Sequence, residues 1–313
     1  MPCFKPVDGW RAVGGGISFD KKKSTGFPMQ VSCGQCMGCR LARSKEWAIR
    51  MTHEAQMHDE NTFITLTYSD NYLPHDGSVD VRHFQLFMKR LRKQFNTDED
   101  GRLIKHHDPR YRKIRFFHCG EYGDRFDRPH YHAVLFGVDF PDKTLFYRED
   151  DRSYWKSEIL DKVWKYGHCL ISDVTFESCA YVSRYVTKKV TGKDAEWYYT
   201  RTDEYGVLVN EVRPEYCTMS RRPGIGETWF REFHGDVYPY DEVVARGHPN
   251  KPPRYYDKLL QRMSERDYEE VKLKRKQKQK ILMPDCTPAR LKDREKCLMA
   301  RVKQLHRSYE NGP

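Results

Sequence analysis

Long hydrophobic runs are missing from this chain of 313 residues. No apolar stretch approaches the roughly 18 residues that span a bilayer, and the start, Met1-Pro2-Cys3-Phe4-Lys5-Pro6, lacks the apolar core of a secretory signal. The expectation is a soluble, cytosolic protein with no membrane partner. No internal repeat is present either. Positive excess is also scarce over most of the length: residues 1–250 hold 38 basic and 36 acidic side chains, whereas residues 251–313 hold 18 and 9. The net charge of +11 therefore lies almost wholly in the last fifth of the chain. Such an excess points to a polyanionic partner, but a body this close to neutral does more than bind by bulk charge.

What is present points to a folded protein. Charged residues make up 32% and the mean hydropathy is −0.88, yet 13% of residues are aromatic, far more than a disordered polyampholyte carries. The length corresponds to about two average domains. Ten cysteines in a cytosolic chain argue for metal ligands and buried thiols rather than disulfides. Three of them, in Cys33-Gly-Gln-Cys36-Met-Gly-Cys39, recur at two-residue spacing with glycines that allow a tight turn to aim the sulfurs at one point. A structural zinc ion would need a fourth ligand, which Cys3 or His53 could supply. The second paired CxxC that would make the signal strong is lacking.

Along the chain, residues 1–38 read as loop or short hairpin and residues 40–58 as a helix. Thr62-Phe-Ile-Thr-Leu-Thr-Tyr68 alternates as a strand, and Val81–Phe95 has the apolar spacing of a helix. Lys113–Cys119 and Pro129–Gly137 read as antiparallel neighbours across a short polar link. Tyr154–Lys165 reads as a helix, Cys169–Phe176 as a strand and Glu177–Val190 as a helix. The class is α+β: the order β-α-β-β-α-β-α builds a ferredoxin-like or RNA-recognition-motif-like layer with a central antiparallel sheet flanked by helices. Four stretches are expected: 1–60, a Cys-rich segment and helix; 61–195, the core; 196–250, an irregular appendage; and 251–313, a basic helical tail.

The chemistry concentrates in two places. His130-Tyr131-His132 lies in a strand, so both imidazoles project from one face and Tyr131 from the other. Taken alone, such a pair is commonly just two half-exposed side chains. Glu121, just after the preceding strand, comes near them if the two strands pair as a hairpin. Two histidines and a carboxylate leave coordination positions open and suit Mg²⁺ or Mn²⁺ with a phosphate completing the shell. On the last helix of the core, Tyr181, Tyr185 and Lys188 fall at i, i+4 and i+7 and share one face. That stripe is either core packing or a pair of tyrosyl nucleophiles with a lysine to stabilise charge.

Taken together, the Phe63–Tyr68 strand, the Glu121 and His130-Tyr131-His132 block with Ala133-Val-Leu-Phe136 behind it, and Tyr181-x-x-x-Tyr185-x-x-Lys188 resemble, in order, the three motifs of HUH rolling-circle replication endonucleases. The paired tyrosines are similar to those of microvirus replication initiators, and the cysteine cluster with Ser220-Arg-Arg-Pro-Gly-Ile-Gly226 resembles the gokushovirus branch. The resemblance implies an HUH endonuclease core in which Glu121, His130 and His132 hold the metal, Tyr181 and Tyr185 attack a DNA phosphate, and Lys188 assists. It also implies viral origin DNA as substrate, host helicase and DNA polymerase as partners, and the host bacterial cytoplasm as location. Gly192-Lys193-Asp194 lacks the features of a phosphate-binding loop, so a helicase is expected from elsewhere. Arg221, Arg222 and the basic run Lys272, Lys274, Arg275, Lys276, Lys278 and Lys280 are the expected DNA contacts. Alternative readings are a non-enzymatic RNA-recognition-like binder stacking bases on Phe116, Tyr131 and Phe136, or a relaxase or single-strand transposase of the same chemistry.

Overall fold

The computed structural model describes residues 3–123, 127–185, 195–202, 205 and 207–304; Lys188, Lys189 and Gly192-Lys193-Asp194 lie outside the described residues. In chain order the elements begin with β1 (Val7–Ala12), β2 (Ile17–Ser18), β3 (Ser24–Val31), α1 (Met37–Ala55), β4 (Asn61–Thr67), α2 (Val81–Phe95), β5 (Arg115–Tyr122) and β6 (Pro129–Phe136). They continue with β7 (Thr144–Glu149), β8 (Arg152–Lys156), α3 (Glu158–Trp164), β9 (Cys169–Ser172), α4 (Phe176–Arg184), α5 (Ala195–Tyr199), β10 (Thr200–Thr202), β11 (Leu208–Glu211) and β12 (Tyr216–Met219). The remainder are α6 (Glu227–Val237), β13 (Val243–Ala245), β14 (His248–Asn250), α7 (Arg254–Met263), α8 (Glu265–Leu282) and α9 (Pro288–Gln304).

The chain divides into two units, Met1–Lys45 with Leu260–Pro313, and Glu46–Leu259. In the first, β1, β2 and β3 form an antiparallel sheet of order β2-β1-β3. This corrects the loop or short hairpin expected over residues 1–38. Most residues of β3 are exposed, so no apolar face alternates there to betray the strand. Gly14, Gly15 and Gly16 turn from β1 to β2 with φ of 84° to 98°, which residues with a Cβ rarely adopt. The basic tail is helical as expected, but Ser264 breaks it: its side chain caps α8 by accepting from the Asp267 amide, and α7 ends before it. Tyr256 on α7 is wholly buried in the Glu46–Leu259 unit, stacked on Phe230, so a boundary at 251 would cut into that unit.

The second unit is built on a seven-stranded sheet of order β12-β5-β6-β4-β9-β8-β7. Within it β6 lies antiparallel between β4 and β5, and β4 lies antiparallel between β6 and β9. Two crossovers result, β4-α2-β5 and β6-α3-β9, each joining parallel strands with one strand between. Right-handed connections of this kind bring both helices to one face. There Phe84, Phe87, Met88 and Leu91 of α2 and Leu160, Val163 and Trp164 of α3 bury against Ile64, Leu66, Tyr131 and Leu135. Each such side chain contributes about 1.5–3 kcal/mol.

The expected strand and helix order is therefore present, with differences. A hairpin, β7-β8, enters before α3, so Tyr154 and Trp155 belong to a strand and not to the helix expected over Tyr154–Lys165; Trp155 pairs with Ile171. β5 runs on through Gly120 and Glu121 to Tyr122, which shortens the link to β6. In the stretch expected to be irregular, β12 joins the sheet beside β5 and α6 is a helix. The composition of 196–250 hides both, because its turns and prolines lie between short elements.

The other sheet face is covered by the end of α1, by α4 and by the segment leading into α6. Its strongest polar contact is buried: Arg115 of β5 donates to Glu54 of α1 and to the Pro223 carbonyl (2.8 Å), and Glu54 also accepts from the Gly226 amide (2.7 Å) and from His58 (3.2 Å). Burial opposes ionisation of Glu54, but these hydrogen bonds and the Arg115 charge outweigh it and hold its pKa below the ordinary 4.5. The pair's contribution is thus present above about pH 4.5 and is lost as the pH falls through the depressed value. Glu54→Gln leaves a buried, unmatched guanidinium and should cost about 3–5 kcal/mol in urea denaturation, with a shallower acid dependence than wild type. A loss below about 1 kcal/mol would speak against a structural role for the pair.

Candidate active site

Strand register assembles the site. Glu121 lies opposite His130 across β5 and β6, Cys119 opposite His132, and on the other side of β6 Thr65 and Thr67 of β4 lie opposite His132 and His130. Strand parity then sends Glu121, His130, His132, Phe63 and Thr65 to the face under α1 and α4, while Tyr131 and His118 go to the α2 face. His118 is a satisfied core residue, stacked on Phe84 with ring centres 3.4 Å apart, bonded to Thr218 and with its pKa lowered to about 3 by burial.

The three candidate ligands converge. Glu121 Oε1 lies 3.0 Å from His130 Nε2 and 2.9 Å from His132 Nε2. The ligand atoms lie within 4.8 Å of one another. Each imidazole is oriented through its far nitrogen, His130 Nδ1 donating to the Arg128 carbonyl (3.1 Å) and His132 Nδ1 pairing with Thr65 Oγ1 (2.9 Å). That arrangement turns both Nε2 atoms toward the carboxylate, as outer hydrogen bonds do around metal-bound histidines. Burial raises the cost of a charge on Glu121, yet the bonds to the two histidines more than offset it and bring its pKa down to about 2. A buried, ionised carboxylate with two imidazole nitrogens fits a divalent cation.

Both tyrosines meet this set. α4 starts with a capping box, Thr175 and Ser178 each bonding the other's backbone, and it ends at Arg184. Tyr185 is the cap residue after the last helical one, with φ −69° and ψ −21°, close enough to helical to keep it one turn beyond Tyr181; residues 186–190 of the expected helix lie outside the described residues. Tyr181 Oη is 3.3 Å from His132 Nε2, and its ring stands edge-on to that imidazole at 5.0 Å. Tyr185 stacks parallel to His132 at 5.9 Å and meets Tyr181 at 5.1 Å. Both rings are buried. Burial, then the Glu121 charge and the Tyr181 hydroxyl, push the Tyr185 hydroxyl far above its ordinary pKa of 10.0, so it keeps its proton. Arg184 lies over the Tyr181 ring at 5.4 Å. Lys188 falls outside the described residues.

The structure also brings the four cysteines together. The sulfurs of Cys3, Cys33, Cys36 and Cys39 lie within 4.8 Å of one another, Cys3 Sγ being 3.5 Å from Cys33 and 3.9 Å from Cys36. The fourth member is thus Cys3; His53 instead stacks on Trp229 and bonds Tyr256 (2.9 Å). Amides of Phe4 and Cys39 help lower the Cys36 thiol to about 6 against the opposing effect of burial. Gly34, at φ 74°, makes the turn between Cys33 and Cys36. Arg221 and Arg222 are exposed beyond the end of β12, near the start of β5 and away from Glu121. Lys272, Lys274, Lys276, Lys278 and Lys280 are exposed on α8, with Arg275 half-buried among them.

Sequence reasoning missed Thr65, the Arg128 carbonyl and Phe63, which packs on His132 at 5.8 Å. The alternation of Thr62–Thr67 signals a strand, but which of its residues face His132 follows only from the register.

The chain is similar to several known proteins. A family described as replication-associated protein ORF2/G2P matches residues 61–190, from β4 to just past α4. The chain is 32% identical over 291 residues to the replication-associated protein VP4 of Bdellovibrio phage phiMH2K, covering 90% of this chain and 84% of that protein. It is 29% identical to the replication-associated protein ORF2 of Spiroplasma virus 4 over 94% of this chain and 90% of that one. To the replication-associated protein ORF4 of Chlamydia phage 1 it is 30% identical, over 78% of this chain and 56% of the relative. No solved structure matches.

Thr65→Val removes the oxygen that orients His132 while preserving its shape. It should weaken Mn²⁺ binding, measured by titration calorimetry, about 10- to 100-fold without lowering the melting temperature by more than a few degrees. Unchanged Mn²⁺ affinity would deny Thr65 a positioning role.

Proposed function

The chain belongs to the family of phage replication-associated proteins, and from that premise we propose that it is the endonuclease that nicks one strand of the viral replication origin by tyrosine transesterification. One observation carries the reading: Glu121, His130 and His132 converge within hydrogen-bonding distance, with the Tyr181 hydroxyl 3.3 Å from His132 and Tyr185 stacked on the same ring.

Glu121, His130 and His132 would hold Mg²⁺ or Mn²⁺, and such an ion supplies neutralisation of charge on a phosphoryl oxygen. The chain's own residues do the rest. A tyrosyl oxygen attacks the scissile phosphorus, the P–O3′ bond breaks, and the tyrosyl proton ends on the departing 3′ oxygen. The products are a 5′-phosphotyrosine and a free 3′-hydroxyl that primes synthesis. Because one phosphodiester replaces another, rejoining needs no ATP. After one circuit the second tyrosine cuts the regenerated origin, and the freed 3′-hydroxyl attacks the first ester to close a unit-length circle. Two tyrosines against one imidazole favour this alternation over a relaxase or transposase with a single working tyrosine. The wall of buried side chains orients the attacking group and excludes water. Lys188 is assigned the role of steadying the developing charge.

The scissile strand enters single-stranded or extruded. Host helicase and polymerase would open and copy the duplex in the host bacterial cytoplasm, and the exposed lysines of α8 would tether the protein to DNA regardless of sequence. A purely binding, RNA-recognition-like module is disfavoured, since of the three rings that would stack bases Tyr131 and Phe136 are wholly buried and only Phe116 is partly open. The four cysteines are assigned a structural Zn²⁺, for which four converging thiolates are the ordinary ligand set.

Two measurements test these readings. Tyr181→Phe with Tyr185→Phe should abolish the covalent protein–oligonucleotide product formed with origin single strand and Mn²⁺, seen on a denaturing gel, whereas His130→Ala with His132→Ala should remove nicking and leave duplex binding near normal. Persistent covalent product in the double tyrosine variant would refute the nucleophile assignment. For the cysteines, elemental analysis of purified protein should find one zinc per chain, lost in Cys36→Ser; a metal-free wild type would overturn the zinc assignment.

A further inference from the structure

The end of β5 remote from Glu121 borders a cavity of about 450 Å³, between the loop that precedes β5 and the Ser220–Arg222 turn that follows β12. Arg92, Lys113, Arg221 and Arg222 line it together with the rings of Tyr111 and Phe116, and no carboxylate does. Arg115 is also in its wall, but Glu54 neutralises that charge. Arg92 is fixed in place: its Nε and Nη2 donate to the Ile114 carbonyl at 3.4 and 3.1 Å, and its guanidinium lies 5.8 Å from the Phe116 ring centre. Lys113, Arg221 and Arg222 are exposed, and among the described residues none has a carboxylate partner. Gathering four cations around one hollow without counter-charge is unfavourable until an anion enters. The volume suits a ligand of nucleotide size. Arginine forks match phosphate oxygens, and an aromatic wall accepts a base by stacking.

We propose that this pocket seats one nucleotide of the single-stranded DNA, with its flanking phosphates on Arg221, Arg222 and Lys113 and its base against Tyr111. The inference rests on the reading of Glu121, His130 and His132 as the place where that strand is cut. Glu121 lies six residue steps along β5 from Arg115, about 20 Å at the rise of an extended strand. In stacked DNA that distance is about six nucleotides, fewer in a stretched strand. The pocket would then grip the substrate at a set distance from the scissile phosphate and position it along the sheet.

Binding of a fluorescein-labelled oligothymidylate of about 20 nucleotides to the full chain, followed by anisotropy in EDTA over a range of salt, separates this from the cutting reaction. Arg221→Ala with Arg222→Ala should weaken binding about tenfold or more near 150 mM salt and lower the log–log salt slope by about 1.4, the loss of two phosphate contacts. Tyr111→Leu should weaken it about fivefold or more with the slope unchanged. The comparison variant Lys21→Ala with Lys22→Ala removes the same formal charge from exposed positions elsewhere and should have a smaller effect on both quantities. The proposal is overturned if the arginine variant behaves like that comparison, or if Tyr111→Leu binds as tightly as wild type. Failure of the nuclease reading looks different: tight, arginine-dependent binding in EDTA with no covalent product when Mn²⁺ is supplied.

Discussion

One register governs the molecule: Glu121 opposite His130 across β5 and β6. A slip of one residue would send every side chain of β6 to the opposite face, exchanging two imidazoles for Tyr131. The structure resists such a slip on the α2 face of the sheet. There the Tyr131 hydroxyl donates to the Asp80 carbonyl (3.0 Å), accepts from the Asp80 amide (2.7 Å) and meets the Tyr68 hydroxyl (2.7 Å), tying β6 to the start of α2. Gly120 makes room for this knot, since a Cβ there would lie 2.7 Å from the Tyr216 ring and 3.1 Å from that of Tyr131. The residue before Glu121 is small because its neighbours across the sheet are large.

The two faces divide the labour. The paired crossovers commit α2 and α3 to one face and make it the apolar core. The other face receives the polar groups of β5: Arg115 at one end, matched by Glu54, and Glu121 at the other, matched by two histidines. Each carboxylate is buried and each stays ionised through its own partners. Between them Phe117 packs against Trp47, with ring centres 5.0 Å apart, and separates the two charged regions with apolar material. A single strand thus carries a stability element, a hydrophobic spacer and the carboxylate of the candidate site in that order.

Much of this was readable from the residues. Period-two alternation located β4, β5 and β6, and helical spacing located α2 to the residue; together they yielded the core order and the convergence of Glu121 with His130 and His132. The paired tyrosines were legible from their spacing, although Tyr185 caps the helix and does not lie inside it. What could not be read depends on long-range pairing. Trp155 looks like part of a helical apolar face because Ile159 and Val163 follow at the right intervals, yet β9 claims it as a partner. β12 is too short to show a period of its own. Thr65 gains its meaning only from the strand beside it, and the β1–β3 sheet lacks the buried face that makes strands visible in sequence.

The turn between β5 and β6 has a consequence for how this protein can vary. Six residues, 123 to 128, join strands whose candidate ligand positions are fixed by cross-strand pairing and by a hydroxyl anchored beneath them. Lengthening or shortening that connection ahead of Arg128, whose carbonyl orients His130, leaves the cross-strand pairs and the Tyr131 anchor in place, so a change of length is tolerated there. A single deletion between Cys119 and Glu121 would instead move the carboxylate to the wrong side of the sheet. Among descendants of this sequence, the separation of the carboxylate from the first histidine should therefore be able to change, while the count from Arg115 to Glu121 stays constant.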